Sequence, residues 1–313
     1  MSNLDVSVVG ELNLDLILYG LPEPLATEHE VLANRLTLTL GSSSAIFAHN
    51  LAVMGSRVGF ISRIGDDPLG RISLERLAQG GVDVSKVRTV NGPTTTGLTV
   101  ILPRSQGRLI LTYPGTMFEM CFEDLDLTYL ASAKHFHLSS FFLHRALRPR
   151  FADLFRQMKS AGLTTSLDTN DDPEDLWADD LLEVLQYVDV FLPNEREVIK
   201  ITRTNNLGEG LAKLANIVPL VVMKQGPQGA VARKGASEVT SPPFSVEPVD
   251  SVGAGDSFDA GFIHQFVRGA DLATCLRQGN LAGACSTTKP GGTEAFRDCS
   301  HFQGFMGRYA TRR

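Results

Sequence analysis

Asp250-Ser251-Val252-Gly253-Ala254-Gly255-Asp256-Ser257-Phe258 sets a loop of very small residues directly before a helix and places a carboxylate inside the turn. Gly253, Ala254 and Gly255 let the backbone approach a ligand closely. The free N–H groups at a helix start, at the positive end of its dipole, point at an anion. Asp256 would repel a resident phosphate, so the pairing makes sense when its task is to take a proton while charge develops on a transferred phosphoryl group. Phe258, Phe262 and Phe266 recur at four-residue spacing, Gly261 permits close packing and Gly269 offers a stop, so the motif opens a buried helix. An N-capped helix after an ordinary glycine turn shares this local pattern. A dinucleotide fingerprint would need a third Gly where Phe258 stands, and no stretch reads as a Lys-containing P-loop.

The chain's 313 residues suffice for one large α/β domain or two smaller ones. With 43% hydrophobic and 20% charged residues the composition is ordinary for a globular protein, and a net charge of -6 argues against a nucleic-acid partner. Cys121, Cys275, Cys285 and Cys299 form no CxxC pair, and no charged-then-apolar leader precedes the first apolar run. The expectation is a reduced, cytoplasmic protein with structural thiols. No apolar run approaches the ~20 residues that cross a bilayer, so no membrane partner is expected.

Short apolar runs at 6–9, 58–61, 135–138, 164–167, 188–192 and 220–223 read as strands, with helical patterns over 44–54, 70–79, 149–161, 176–186, 196–202 and 207–216. That alternation is the rhythm of a parallel sheet covered on both faces. A further helix is predicted over 272–287, followed by a short tail. Residues 95–102 and 108–113 form a hairpin signal around Ser105-Gln106-Gly107, and 30–40 alternates as a third extended piece. Together they predict a small sheet outside the main one, able to exclude water from a site where water is a competing acceptor.

With the 253–256 segment joined to these features, the chain resembles the ribokinase-like, or PfkB, family of carbohydrate and nucleoside kinases over nearly its whole length. The resemblance implies a single three-layer α/β domain over 1–313, with a central, mostly parallel sheet and a small β-sheet lid from about 13–40 and 94–115 that often mediates dimers. It gives Asp256, the second Asp of a D-x-x-G-A-G-D signature, the role of catalytic base, and the backbone of Gly253, Ala254 and Gly255 that of anion hole.

Other segments extend the likeness. Gly10-Glu11-Leu12-Asn13-Leu14-Asp15 resembles the family's sugar-contacting segment, and an amide and a carboxylate two positions apart in extended chain face one side, which makes Asn13 and Asp15 candidates for acceptor binding. Gly41, Ser42 and Ser43 occupy the place of a Gly-Gly segment lining the sugar site. Ser42 departs from its second Gly, and Ile46 stands where an Asn is common. Gly65-Asp66-Asp67-Pro68-Leu69-Gly70 reads as a structural turn, and Arg108 is placed to meet an acidic substrate group.

On the nucleotide side, Asn194 and Glu197 resemble an N-x-x-E motif whose Glu positions Mg2+ through water; by themselves they read as a helix cap and its partner. Lys224, Gly226 and Gly229 resemble a K-x-G-x-x-G loop that packs on ATP, or a plain hairpin turn, and Asn280 sits where the family places an adenosine contact. Asp250, Val252, Ser286, Lys289 and Gly291 match the positions that hold a monovalent cation such as K+ in many relatives.

Asp168-Thr169-Asn170-Asp171-Asp172 has calcium-loop spacing but Pro173 where a Gly is needed, so it is read as the rim of a ligand crevice. His135 and His137 are read as strand packing. The sequence thus points to ATP-dependent phosphorylation of a hydroxymethyl group on a small sugar or sugar acid. Ile46 and Phe47, apolar where a hydroxyl-rich ring would sit, keep an adenosine-like nucleoside kinase open. A non-catalytic sugar- or nucleotide-sensing protein is the alternative of another class.

Overall fold

Short β-rich runs pair into two sheets in the computed structural model, which describes residues 4–310. The strands are β1 (Val6–Val9), β2 (Leu14–Tyr19), β3 (Arg35–Leu40), β4 (Val58–Gly65), β5 (Asp83–Val90), β6 (Leu98–Pro103), β7 (Arg108–Tyr113), β8 (His135–Leu138), β9 (Thr164–Leu167), β10 (Val190–Phe191), β11 (Leu220–Lys224), β12 (Ala230–Lys234) and β13 (Ser237–Ser241). The helices are α1 (Ser43–Val53), α2 (Pro68–Gln79), α3 (Leu127–Leu130), α4 (Phe151–Ser160), α5 (Asp180–Leu185), α6 (Glu195–Thr202), α7 (Leu207–Ala215), α8 (Ala254–Phe266), α9 (Leu272–Thr287), α10 (Glu294–Arg297) and α11 (Cys299–Ala310).

The nine-stranded sheet runs β13-β12-β11-β10-β9-β8-β1-β4-β5 and is parallel except for the terminal β11–β12–β13 meander. Alternation along β1 sends Val6 and Val8 into the layer of α1, α8 and α9, where Phe47, Phe262 and Leu276 lie, and Val9 into the opposite layer with Phe136, Phe155 and Leu154 of α4. Burial on both faces is why these strands read as continuous apolar runs. From β1 the chain builds β4 and β5 on one side and returns with β8 on the other, so the strand order reverses at β1. The crevice outside the carboxyl ends of the strands at such a reversal is the standing ligand position in open α/β sheets.

The second sheet, β3-β2-β6-β7, is small and segregates its faces. Register sets Asp15 opposite Thr39 and Thr99, and Thr99 opposite Thr112, on one face; Leu16, Leu38, Val100 and Leu111 line the other. On that leucine face Leu36, Leu109, Leu111 and Tyr113 are exposed.

Several elements depart from the sequence reading. The helix expected from Leu176 begins only at Asp180: the Asp172 carboxylate accepts the N–H groups of Glu174, Leu176 and Trp177, and Asp175 and Trp177 have positive φ. The expected tail is instead a helix, α11, whose Phe305 and Tyr309 are buried beside Phe296 and Leu281. Strand β5 is mostly exposed, so it lacked an apolar run; β13 is a short edge strand with the same defect, and β12, between it and β11, alternates rather than running apolar. The cysteines are unpaired. Among the described residues, no helix is long and apolar enough to cross a membrane.

Candidate active site

Glycine conformation builds the signature turn. Gly253 adopts φ 71° as the N-cap of α8, and a β-carbon there would lie 2.5 Å from Gly292 Cα. A side chain at this position is barred both by conformation and by space. The turn is held by Ser257 Oγ donating to the Gly253 carbonyl (2.7 Å) and by Asn50 Nδ2 of α1 donating to Ser257 Oγ (2.9 Å) and to the Gly292 carbonyl (2.9 Å). Ile46 packs on the same two glycines and is buried, while Phe47 is buried and stacked on His137 with ring centres 3.7 Å apart. Ile46 thus packs directly against the signature turn, whereas Phe47 belongs to the core between the sheet and α1.

Asp256 lies in the first turn of α8 and is 8% exposed. Burial and the neighbouring charge of Asp168 push its carboxyl up to about 7, against the pull of Lys224 and a hydrogen bond from Ser43. Across from it, Asp15 is pushed up to about 7 by burial and by the charge of Asp256, with Arg108 acting the other way. Gly41 leaves room for this carboxyl: a β-carbon there would meet Asp15 Oδ1 at 2.1 Å. Asn13 is buried, its Nδ2 donating to Thr99 Oγ1 (3.3 Å), while its Oδ1 has no partner. Ser42 has φ 68° and caps α1, its hydroxyl donating to the Glu11 carbonyl. Asn13, Asp15, Gly41, Ser43 and Asp256 are therefore brought together, and Ser42 turns to helix capping.

Glu11 escaped the sequence reading of roles. Its carboxylate is buried, accepts Ser44 Oγ (2.7 Å) and Ser140 Oγ (2.7 Å), and lies 3.3 Å from His144 Nε2. Burial works against its charge, yet His144 and the two hydroxyls hold it down to about 2. The available signal was a carboxylate directly after an apolar strand, where only a satisfied charge is tolerated.

Lys224 extends from the end of β11 into the same cleft. Its ammonium meets Asp168 Oδ2 at 2.6 Å and Asp259 Oδ2 at 3.0 Å, and lies 3.7 Å from where a β-carbon on Gly255 would stand. Burial disfavours the ammonium, but Asp168 and Asp259 more than offset this and raise its pKa. Lys224 in turn holds Asp168 low against burial, while Asp259 is raised by burial. Asp259 also went unread; it is the carboxylate one turn beyond Asp256 on an otherwise apolar helix face, a pattern visible in sequence.

Asn194 and Glu197 form the capping box of α6: Asn194 Oδ1 accepts the Glu197 N–H (2.9 Å) and Glu197 Oε2 accepts the Asn194 N–H (2.8 Å). Burial and the Asp168 charge push Glu197 up to about 7. Gly226 and Gly229 bound a one-turn 3-10 segment joining β11 to β12, so the loop is also a hairpin connection. Asn280 uses both amide hydrogens on the Ser241 (3.0 Å) and Pro242 (3.1 Å) carbonyls, pinning the chain beside the cleft. Asp250, Val252, Ser286, Lys289 and Gly291 meet where α9 ends against the signature turn. The Asp250 carboxylate there accepts three protein donors, the Tyr19 hydroxyl and the Val252 and Gly291 N–H groups. His135 and His137 are buried and bonded to Thr164, Ser166 and Ser139, as strand packing requires. No group of three or more His, Cys, Asp or Glu side chains suited to a metal occurs among the described residues.

This arrangement has known counterparts. The chain is 28% identical over 290 residues to the 2-dehydro-3-deoxygluconokinase of Bacillus subtilis, covering 87% of this chain and 88% of that protein. It is 30% identical over 278 residues to a fructokinase of Klebsiella pneumoniae, covering 83% and 90%. A protein from E. coli assigned as ribokinase II, solved with ATP and Mg2+, superposes with a TM-score of 0.83 at 25% identity, covering 97% of this chain and 99% of the other. Residues 3–299 match the signature of the pfkB family carbohydrate kinases, and with the fold and the glycine turn above this makes the chain a member of that family.

Proposed function

We propose that this kinase transfers the γ-phosphoryl group of ATP to a hydroxymethyl group of a small sugar or sugar acid, with Asp256 as general base. The observation that carries the reading is geometric: a carboxyl buried in the first turn of α8, directly after the Gly253 turn and beside Ser43 of the acceptor-side segment, where burial pushes it up to about 7. A base poised near the operating pH combines the right protonation state with driving force for proton transfer. The amides of Gly253, Ala254 and Gly255 stabilise charge on the transferred group, and Asn13, Asp15 and Ser43 orient the acceptor hydroxyls.

The residues fit Mg2+ and ATP. Asp168, Glu197, Asp256 and Asp259 crowd one lysine, and three of the four are raised, so the cleft is short of positive charge. Bound with the nucleotide, Mg2+ would supply positive charge against the charge that develops on the transferred phosphoryl group. Glu197 would hold it through water, with Asn194, Lys224, Gly226, Gly229 and Asn280 on the nucleotide side. The small sheet acts as a lid that carries Asp15 and Arg108 over the acceptor, and Arg108 suits a sugar acid.

The deciding experiment is ADP release against a panel of pentoses, ketohexoses, 2-keto-3-deoxy acids and nucleosides. Acceptor-dependent ADP supports the kinase; binding with no ADP from any acceptor would leave a sensor. A nucleoside preferred over every sugar would overturn the sugar assignment.

Three further results are expected. The plot of kcat/KM against pH should fall about tenfold per unit below about pH 7, as Asp256 takes up its proton. Ser43→Ala removes a hydroxyl that favours the carboxylate and should move that limb to higher pH; an unmoved limb would dissociate Ser43 from the base. The leucine face of the lid suits a second copy of this chain. Leu111→Lys should then convert a dimer to a monomer by sedimentation, and a wild-type monomer would refute the pairing.

A further inference from the structure

The Asp250 carboxylate lies where the small sheet meets the signature turn. Its Oδ2 accepts the Tyr19 hydroxyl of β2 (2.7 Å) and the Gly291 N–H (3.1 Å), and its Oδ1 accepts the Val252 N–H (3.0 Å). Arg35, paired with Tyr19 across β2 and β3, sets its guanidinium 4.0 Å from the centre of the Tyr19 ring. Ile17 and Ile101 pack on Val252 beside it. A cation at Oδ2 would face the positive ends of an O–H and an N–H dipole. The Ser286 carbonyl already receives the Lys289 N–H (3.5 Å). What a monovalent cation would supply, positive potential on Asp250 and a fixed loop, is supplied by the chain itself.

We propose that Tyr19, backed by Arg35, is a positioning residue that stands in the place of a monovalent cation, holding the signature turn from the lid and making turnover independent of K+. The proposal rests on the kinase reading above. The hydroxyl keeps its proton, because burial and the Asp250 charge both disfavour the phenolate, so it serves as a donor to Asp250. Through Val252 and Gly291 the bond reaches both sides of Gly253, so the sheet that covers the acceptor also fixes the anion hole.

The test compares KCl with choline chloride at equal ionic strength. Wild-type ADP release with the best acceptor of the panel should be the same in both salts. Tyr19→Phe, with acceptor KM little changed, should lose about ten- to a hundredfold in kcat, the range for a hydrogen bond to a charged group. A wild-type rate that climbs severalfold with K+, or a Tyr19→Phe enzyme with wild-type kcat, would overturn the proposal. The melting temperature of the unliganded wild-type protein should also be indifferent to the choice of salt. A rise specific to K+ would refute the substitution even if no acceptor supported turnover or the variant did not fold. Absence of ADP with every acceptor in both salts would count against the kinase reading, leaving the melting comparison to decide this one.

Discussion

Asp256→Asn should abolish most turnover while leaving acceptor and nucleotide binding nearly intact. A positioned general base contributes about 10² to 10⁴ in rate, and Asn keeps the volume and the hydrogen-bonding shape without the basicity. Steady-state ADP release and calorimetric titration of the acceptor measure the two halves of the claim. A variant with wild-type kcat would remove Asp256 from the chemistry. The same substitution should raise stability. With its folded pKa raised to about 7, Asp256 holds a proton that the unfolded chain has released. Its contribution therefore falls as pH rises from about 4 towards 7. An amide carries no such penalty, and since each pKa unit is about 1.4 kcal/mol the gain at pH 8 should reach a few kcal/mol. Urea unfolding at pH 5 and pH 8 should show the variant's advantage growing with pH. Activity lost together with stability gained is the signature of a site held in a costly arrangement for function.

Lys224→Met should destabilise the protein strongly. The ammonium is the shared partner of Asp168 and Asp259, both almost completely buried, and removing one side of a buried ion pair costs about 3–5 kcal/mol. In the wild type Asp168 is depressed, so its contribution is present above the unfolded carboxylate range and lost as pH falls through the folded value. Lys224 is raised, so its contribution is present below the ordinary lysine range and lost at still higher pH. The pair is therefore intact across neutrality. In the variant Asp168 loses the partner that depressed it and becomes a raised carboxyl, so the deficit should be smallest near pH 4 and widen as pH rises. Chemical unfolding at pH 5 and pH 8 tests this. An equal deficit at both values would mean that Lys224 acts through packing of its stem rather than through charge.

Composition, the alternation of short apolar runs with helical patterns, and the glycines before Asp256 determined the α/β class, the crevice-forming strands and the position of the glycine turn that opens α8. They could do so because those signals are local: strand alternation, helix period and positive φ at Gly253 are properties of neighbouring residues. Asn13, Asp15, Gly41 and Ser43 were picked out by the family resemblance, with only the two-residue spacing of Asn13 and Asp15 readable as a local signal. Tertiary structure alone decided the rest. β5 and the β12–β13 meander form because the sheet offers an edge to pair with, not because their sequences are apolar. Ile46 packs against the turn because Gly253 and Gly292 leave a hollow there, while Phe47 stacks on His137 in the core. Asp168, Lys224 and Asp259 become one ionisable cluster, and Tyr19 reaches Asp250 across 231 positions of sequence, because the fold brings distant chain segments into a space where an unpartnered charge is costly.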